Sequence, residues 1–372
     1  MSKNDWDVVI VGGSFAGLAA AHFISGGDVL ILERQSRLGK TQRSTCCTSV
    51  DWIERLGCSN SVLQRLDYLT IHSSRGAGVQ VRLPEPFCTI DYKVFCETLA
   101  GNMENAEIKT GTRVVEIKEG GIVKTNQGMC TGKAVIDASG WPGVGNRAAW
   151  KNRGWRKRPA FGLEIETDYA GDTNSIQIFY GKRYTSHGYG WIFPTGKDMV
   201  RIGIGGQFSG SPLKVLNGFL SEMGVSRNGA KPHGGFLPII TLGESVRNQA
   251  FVVGDACNQV IPGSGEGIRA AFEHAEICAK IVRMIVEGRI PLDTGLAEYS
   301  RAVMDSKPFY DNMRFIQDMA HFCPDFARSR LINGLLKVDE ARAEAVFKRY
   351  LQGDIKSSKS VIVKSIIKSL LR

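Results

Sequence analysis

The sequence predicts an α/β fold: a Rossmann-like nucleotide-binding domain with an inserted antiparallel β-sheet, followed by a helical C-terminal region. A β-branched apolar strand at residues 7–11 runs directly into a glycine-rich turn and a helix. Short alternating segments separated by glycines fill residues 158–245. A second strand, glycine-rich loop and helix then return at residues 251–285. This order indicates one nucleotide-binding domain interrupted by a sheet.

Residues 7–33 contain a complete βαβ pattern. Apolar strands at residues 7–11 and 29–32 flank the sequence Gly-Gly-Ser-Phe-Ala-Gly at residues 12–17, and a helix-forming segment follows that turn. Because strand, turn, helix and second strand occur in the right order, the glycines predict a dinucleotide site more strongly than they would alone.

Individual residues of this pattern have separate physical roles. Gly12 permits the tight turn, and Gly17 lets the helix pack on the strand, while the free N–H groups of the helix start suit a pyrophosphate. Glu33 follows about twenty residues later, where a carboxylate accepts hydrogen bonds from a ribose. Ser14 stands where the pattern has its second glycine. Since serine is also small, the prediction of dinucleotide binding stands.

Composition describes an ordinary globular chain of 372 residues, enough for two domains and a tail. Its apolar stretches fall far short of the roughly 20 residues that span a bilayer, and the N-terminus leads directly into a strand without room for a signal peptide. Nine cysteines lack C-x-x-C spacing, which predicts reduced thiols in a cytoplasmic protein. Six histidines lack metal-ligand spacing, so we expect no metal.

The net charge of +10 favours anionic partners. Cofactor phosphates and phospholipid head groups both fit this charge. Nucleic acid does not, because no stretch resembles a nucleic-acid-binding module.

A polar loop at residues 40–49 follows the second strand and contains the adjacent pair Cys46 and Cys47. It is either a surface loop with two incidental thiols or a loop that returns to the cofactor. Its position directly after the ribose-binding Glu33 favours the second interpretation. Both interpretations remain open at this point.

Further elements follow in order along the chain. Residues 51–69 predict a mixed helix, and Asp91 is the predicted N-cap of a helix that extends to residue 99. Strands are predicted at residues 69–74, 78–83, 113–117, 122–125 and 134–137. The inserted sheet is predicted to use strands at residues 161–166, 175–180, 190–193 and 199–205. Such a sheet would cover a substrate that is bound next to the cofactor.

The returning unit ends a strand at Asp255, passes through a glycine-rich loop and opens a strong helix at Ile268. An aspartate at the end of that strand can hold the hydroxyls of a ribityl chain. The glycines let backbone N–H groups approach a flat ring, and the helix dipole favours negative charge on that ring. The alternative is a purely structural strand–turn–helix.

Four sequence elements together resemble the flavoproteins built like p-hydroxybenzoate hydroxylase. They are residues 12–17 with Glu33, residues 137–140, residues 254–256 and residues 262–268. The resemblance covers roughly residues 5–290 and implies FAD as the cofactor. Within that superfamily, Tyr-Gly-Trp-Ile-Phe-Pro at residues 189–194 is similar to the Y-x-W-x-F-P element of the geranylgeranyl reductases. Those enzymes saturate isoprenoid double bonds in lipid and phospholipid biosynthesis and in chlorophyll or quinone side chains.

The resemblance also implies roles for individual residues. FAD contacts are expected at Gly12, Gly13, Ser14, Phe15, Ala16, Gly17, Glu33, Arg34, Arg43, Cys46, Cys47, Val114, Asp255, Pro262, Gly265, Gly267 and Ile268. The expected catalytic residues are Cys47, Cys46 and Tyr189, and the expected substrate contacts are Tyr189, Trp191, Phe193 and Pro194.

The chain departs from the family pattern in two places. Thr48 and Ser49 stand where glycines are expected after the loop cysteine, and Tyr92 stands where an arginine is usual, with Lys93 beside it. These departures leave the predicted flavin fold intact and leave subfamily and substrate open.

Tyr189, Trp191 and Phe193 alternate along a predicted strand and therefore share one face. Three aromatic rings on one face, ended by Pro194, can line an apolar slot for an unsaturated hydrocarbon chain. The alternative is that they form the core of the inserted sheet. The family resemblance favours substrate contact.

The C-terminal residues 359–372 predict an amphipathic cationic helix. Lys364, Lys368 and Arg372 recur every four residues, opposite Val363, Ile366, Ile367 and Leu370. Such a helix can lie in the interface of an anionic bilayer, which would give a peripheral position on the inner face of the membrane. It can equally dock on its own domain or on a partner subunit.

The expected domains follow from these elements. The FAD-binding domain comprises residues 1–70, 90–157 and 246–290, the sheet domain residues 71–89 and 158–245, and the helical C-terminal region residues 291–372.

The function predicted is an FAD-dependent prenyl reductase acting on a geranylgeranyl-type lipid. Its reductant would be external, either NAD(P)H or a ferredoxin, because no separate nicotinamide domain is present. A flavin monooxygenase or halogenase acting on an aromatic substrate is the alternative, since the same fold hosts both activities. A flavin-binding protein without turnover is a third class, against which the aromatic strand argues.

Overall fold

The computed structural model describes residues 5–24, 26–74, 78–144, 159–185, 187–322, 324–326, 329–330 and 340–353. Within these ranges it contains two eight-stranded sheets and a helical C-terminal region. The predicted α/β architecture is confirmed.

Strands and helices are numbered separately in chain order. The strands are β1 (Asp5–Val11), β2 (Val29–Leu32), β3 (Cys47–Ser49), β4 (Val62–Ser73), β5 (Gly78–Ile90), β6 (Ala106–Lys109), β7 (Val114–Lys118), β8 (Ile122–Thr125), β9 (Gly128–Asp137), β10 (Ala160–Asp168), β11 (Ser175–Tyr180), β12 (Gly188–Gly196), β13 (Met199–Gly206), β14 (His233–Leu237), β15 (Val246–Arg247) and β16 (Ala250–Val252). The helices are α1 (Phe15–Phe23), α2 (Val50–Arg55), α3 (Tyr92–Gly101), α4 (Pro212–Glu222), α5 (Ile268–Val286), α6 (Leu292–Phe322) and α7 (Glu340–Leu351).

The first sheet has a parallel centre in which β1 lies between β2 and β9. β6 and β16 extend it in parallel on either side. Helices α1 and α5 cover one face, and the hairpin β7–β8 contributes Ile117 and Val123 to the other. Burial on both faces explains why β1 and β2 are continuous apolar runs. The carboxyl ends of β1, β9 and β16 meet at one edge, next to the N-terminus of α1.

The second sheet has the strand order β14-β10-β13-β12-β11-β4-β5-β3. It is antiparallel except where β11 pairs with β4 in parallel. Helix α4 packs Leu216 and Phe219 against Ile192 and Ile202 on one face. The other face, which carries Trp191, turns towards the first sheet's loops, as the contacts of the site demonstrate.

The helix expected over residues 51–69 is wrong for most of its length. Helix α2 ends at Arg55, and β4 begins at Val62. Leu66 is buried opposite Phe87 of β5, while Arg65 and Asp67 on either side of it are exposed. This two-residue alternation is that of a strand with one covered face. The second sheet therefore takes in residues well before position 71, where we expected it to begin.

The described part of the C-terminal region includes the 31-residue helix α6 and the shorter helix α7. Phe347 of α7 packs on the second-sheet cluster formed by Leu66, Leu83 and Ile176. The amphipathic segment predicted at residues 359–372 lies outside the described residues. None of the helices in the described ranges combines the length and apolar composition needed to cross a bilayer.

Candidate functional site

The turn between β1 and α1 requires its glycines. Gly12 has a φ of +109°, and a Cβ there would lie 2.4 Å from the carbonyl oxygen of Ala138. A Cβ on Gly17 would lie 1.9 Å from the carbonyl oxygen of Gly12. Side chains at either position would therefore push the turn away from β9 or lift the helix from the turn. The first residues of α1 keep their backbone N–H groups directed to the edge where the strands end.

Glu33 is held in one orientation at the end of β2. Its Oε2 accepts a hydrogen bond from the N–H of Gly13 at 2.8 Å, and its Oε1 accepts one from the N–H of Gln35 at 2.7 Å. Each carboxylate oxygen keeps a further lone pair for another donor. The carboxylate is thereby positioned to accept hydroxyl groups of a ribose beside the glycine turn.

A cationic cavity of about 370 Å³ lies next to Glu33. Its lining residues are Arg34, Gln35, Arg43, Gly111, Arg113 and Asn126. The structure thus brings together the predicted residues Arg34 and Arg43, and Val114 follows Arg113 at the start of β7. Three guanidinium groups around one cavity suit a phosphate-bearing ligand. Arg113 and Asn126 also line this cavity, and they were not predicted from the sequence as FAD contacts. Arg113 directly precedes the predicted contact Val114.

Asp255 lies where β16 gives way to the second glycine-rich loop, in a short 3₁₀ turn at Gly254–Cys257. A Cβ on Gly254 would lie 2.9 Å from the Cβ of Ala16, so this turn packs closely on the start of α1. Burial raises the pKa of Asp255 to about 6. Within the part of the chain that the structure describes, no group donates a hydrogen bond to its carboxylate. Hydroxyl groups of a polyol would supply the missing donors.

The loop at residues 261–267 is closed by its own backbone. The N–H of Gly265 donates to the carbonyl of Ile261, and the N–H of Ile261 donates to the carbonyl of Glu266. Gln317 of α6 accepts from the N–H of Gly263 at 2.8 Å. Gly263 and Gly265 both have positive φ, which explains the glycines in this loop. The loop leads into the N-terminus of α5 at Ile268, as predicted.

Tyr189 joins the second sheet to this loop. Its hydroxyl donates to the carbonyl oxygen of Ser264, and a Cβ on Gly265 would lie 2.7 Å from that hydroxyl. Burial raises the pKa of Tyr189 well above its ordinary value, so the phenol keeps its proton at neutral pH.

Trp191 lies flat over a glycine surface of the second sheet. Cβ atoms on Gly203 and Gly205 would lie 2.7 and 2.9 Å from its indole atoms. Its Nε1 donates to Glu164 Oε2 at 2.8 Å. The glycines of β13 therefore make room for the indole.

Phe193 belongs to an apolar group on the same face. That group comprises Leu66, Leu83, Ile176, Cys47, Leu69, Phe87, Ile178, Phe193 and Phe347. Tyr189, Trp191 and Phe193 thus share the face that meets the glycine-rich loop, as their alternation predicts. Pro194 does not: it follows Phe193 on the opposite face, and its carbonyl accepts from Thr89 Oγ1 at 2.6 Å.

Cys46 and Cys47 lie where the polar loop enters the second sheet. Cys46 is fully buried with a φ of +55°, and its Sγ donates to the carbonyl of Ser44 at 3.2 Å. Cys47 pairs with Thr89 at the start of β3. Burial raises the pKa of both thiols well above the ordinary value. Both therefore stay protonated at neutral pH, which argues against a thiolate nucleophile.

Two sequence departures contact each other. Ser14 Oγ and Tyr92 Oη are 2.8 Å apart, between the dinucleotide turn and the first residue of α3. The ring of Tyr92 also packs against Phe15, at 5.2 Å between ring centres. Phe15 therefore directs its side chain into the core, so only its backbone remains for a cofactor. The tyrosine hydroxyl therefore joins the dinucleotide turn to α3.

These features fit FAD. Glu33 would accept the hydroxyls of the adenosine ribose, the N–H groups at the start of α1 would face the pyrophosphate, and the arginines of the cavity beside Glu33 would attract its negative charge. Asp255 would accept the ribityl hydroxyls, and the loop at residues 261–267 would lie along the ring system. The carboxylate of Asp255 supports this fit most directly, because the ribityl hydroxyls of FAD would supply the donors that no described residue provides.

Comparison with known proteins agrees with this geometry. The family model of the geranylgeranyl reductase catalytic domain matches residues 162–231, which contain most of β10–β13 and all of α4. Digeranylgeranylglycerophospholipid reductase 2 of Methanothermobacter thermautotrophicus is 26% identical over 315 residues, covering 77% of this chain and 80% of the relative.

Two solved structures have the same fold. A geranylgeranyl bacteriochlorophyll reductase-like protein from Thermoplasma acidophilum superposes with a TM-score of 0.82 at 17% identity, over 99% of this chain and 96% of that protein. HpxO of Klebsiella pneumoniae, in complex with FAD, gives a TM-score of 0.71 at 15% identity, over 94% and 99% of the two chains.

Proposed function

The chain belongs to the geranylgeranyl reductase family, and from this premise we propose that it saturates carbon–carbon double bonds in geranylgeranyl chains of lipids. It is an FAD-dependent oxidoreductase by family and fold. The finer assignment, a lipid-linked geranylgeranyl chain as substrate, goes beyond the family and rests on the aromatic face. Its electron donor is external, either NAD(P)H or a ferredoxin.

One contact supports this proposal above the others: the hydroxyl of Tyr189 donates to Ser264 in the glycine-rich loop. It brings Trp191 and Phe193, on the same strand face, next to the loop that would hold the flavin ring. The apolar group around Phe193 extends this face with side chains of β4, β5, β11 and α7. A long, flat hydrocarbon chain matches such a surface.

Reduced FAD, when bound, would supply a hydride to one carbon of the double bond. The residues of this chain would orient the prenyl chain, exclude water and keep a proton ready for the other carbon. Trp191 would form the floor of the slot, and Phe193 its continuation. Tyr189, Cys46 and Cys47 all keep their protons at neutral pH, so each remains a candidate for positioning the proton.

A product analysis tests the assignment. The holoenzyme, reduced anaerobically with dithionite, is incubated with geranylgeranyl diphosphate and, separately, with a digeranylgeranylglycerol phospholipid. We expect mass gains of two hydrogens per reduced bond with at least one of the two substrates. Unchanged masses with both substrates would contradict the proposal.

Peripheral membrane attachment through residues 359–372 remains a hypothesis that accords with a lipid substrate. A vesicle co-sedimentation experiment comparing the full chain with one ending at residue 353 would test it.

A further inference from the structure

Glu164 is a buried carboxylate on β10 that the proposed reaction leaves without a role. Its side chain is 3% exposed and lies on the same sheet face as Trp191. Its Oε2 accepts from Trp191 Nε1 at 2.8 Å and from Thr45 Oγ1 at 2.7 Å. A charged side chain is costly to bury, so its hydrogen bonds to two parts of the site require an explanation.

His233 connects this carboxylate with solvent. It begins β14, and its Nε2 lies 2.9 Å from Glu164 Oε1. The imidazole side chain is 27% exposed, whereas Glu164 is not accessible. A partly exposed imidazole of this kind can connect water with a buried carboxylate.

Arg201 is the cation that faces Glu164. Arg201, on the neighbouring strand β13, pairs with Glu166 at 2.8 Å and donates to the carbonyl of Thr45 at 2.7 Å. Cys46, which also faces Glu164, is a neutral thiol because burial raises its pKa. The carboxylates of Glu164 and Glu166 therefore share one guanidinium, that of Arg201.

Thr45 links Glu164 to the loop that contains Cys46 and Cys47. It directly precedes Cys46, and its side chain is only partly buried. The two links, His233 to Glu164 and Glu164 to Thr45, measure 2.9 and 2.7 Å, within the reach of proton transfer. A threonine hydroxyl can turn its hydrogen from one acceptor to another, so it can pass on a proton that it receives.

We propose that His233, Glu164 and Thr45 form the path that delivers protons from solvent to the reduction site; this inference rests on the proposed function. Each saturated double bond consumes one hydride from reduced FAD and one proton. The O–H bond of Thr45 breaks as the proton forms a C–H bond at the alkene carbon that receives no hydride. Thr45 recovers a proton from Glu164, Glu164 from His233, and His233 from water. The two π electrons form this C–H bond, and the two electrons of the hydride form the C–H bond at the other carbon.

Anaerobic stopped-flow kinetics of the holoenzyme test this path. The dithionite-reduced protein is mixed with geranylgeranyl diphosphate, and flavin reoxidation is followed. Thr45→Val, Glu164→Gln and His233→Ala should each slow reoxidation by about 100-fold, the lower range of a general-acid contribution. Thr45→Ser retains the hydroxyl and should react like the wild type. Added imidazole should restore the rate of His233→Ala and leave Glu164→Gln slow.

A binding measurement distinguishes a role of these residues in proton delivery from a structural role. The dissociation constant of geranylgeranyl diphosphate for the oxidised holoenzyme, measured by the change in flavin absorbance, should be unchanged in all variants. His22→Ala, at the last turn of α1, is the control for loss of a histidine and should match the wild type. Variants that react at the wild-type rate would overturn the path, as would slow variants that also lose binding and do not respond to imidazole. A wild type that is reoxidised neither by geranylgeranyl diphosphate nor by a digeranylgeranylglycerol phospholipid would overturn the proposed function, and the path with it.

Discussion

Trp191 is the side chain on which the substrate assignment depends most. It is 6% exposed, lies over the glycines of β13 and is anchored by Glu164. Trp191→Ala should remove the floor of the slot and lower prenyl turnover by at least about tenfold, since misplaced substrates lose near-attack geometry. FAD should stay bound, because the indole contacts the sheet rather than the dinucleotide turn. Turnover by mass spectrometry and flavin absorbance would be measured together.

The conservative variant Trp191→Phe serves as the graded control. It keeps an aromatic ring on the same face and loses only the Nε1 donor to Glu164. Its turnover should fall between those of the wild type and Trp191→Ala. Full activity in Trp191→Ala would mean that this strand does not contact the substrate.

Asp255 should give the apoprotein a pH-dependent stability of defined sign. Its pKa rises from 3.8 in the unfolded chain to about 6 in the fold, so the folded state binds its proton more tightly. The free energy of unfolding should therefore fall as pH rises through this window, by roughly 3 kcal/mol in all, and level off above it. Urea unfolding of the apoprotein across the window measures the slope.

Asp255→Asn is the reference for that slope because the amide does not titrate. The difference in unfolding free energy between wild type and variant should change with pH only below about pH 6. A difference that is constant with pH would contradict the burial of an unpartnered carboxylate. The same variant should also weaken FAD binding, because the amide replaces an acceptor for the ribityl hydroxyls.

Helix α1 depends on close contact with the turn before it. Gly17→Ala should abolish FAD retention and lower the melting temperature, because the added Cβ would lie 1.9 Å from the carbonyl oxygen of Gly12. Gly218→Ala in the exposed middle of α4 is the matched control: a Cβ there meets nothing within 4 Å. That control should be stabilised by about 0.5–1 kcal/mol. Thermal unfolding with flavin absorbance distinguishes the two, and FAD retained by Gly17→Ala would contradict the turn geometry.

Helix α7 should stabilise the glycine-rich loop through one hydroxyl. Tyr350 Oη lies 2.7 Å from both Ser264 Oγ and Glu266 Oε2. Tyr350→Phe removes these hydrogen bonds, at a cost of about 1 kcal/mol, and should weaken FAD binding roughly fivefold. Val346→Ala, exposed on the same helix, should change nothing. Titration of the apoproteins with FAD gives the affinities; equal affinities would show that α7 does not support the loop.

At the scale of the whole molecule, local sequence patterns predicted the elements whose structure depends on residues close together in the chain. β1, α1 and β2 follow from apolar runs around a glycine turn, and Asp91 caps α3 by accepting from the N–H of Val94 at 2.9 Å, as predicted. The alternation of Tyr189, Trp191 and Phe193 also predicted their common face. These features depend on periodicity over a few residues.

Features that depend on distant residues could not be predicted in this way. β4 looks helical by composition, and only its pairing with β5 determines that it is a strand. The contact of Ser14 with Tyr92 spans 78 positions, and that of Thr45 with Glu164 spans 119. Such contacts leave no local periodicity, because the second sheet brings them together only after the chain has folded.

Anaerobic reoxidation of the reduced flavin tests the central claim most directly. The holoenzyme is reduced with dithionite without oxygen and mixed with a digeranylgeranylglycerol phospholipid, while visible absorbance is recorded. Reoxidation of the flavin by the lipid, with two hydrogens gained in the product for each flavin oxidised, is the result expected of a prenyl reductase. A flavin that stays reduced with every prenyl lipid and is reoxidised only when oxygen is admitted would contradict it and favour a flavin monooxygenase.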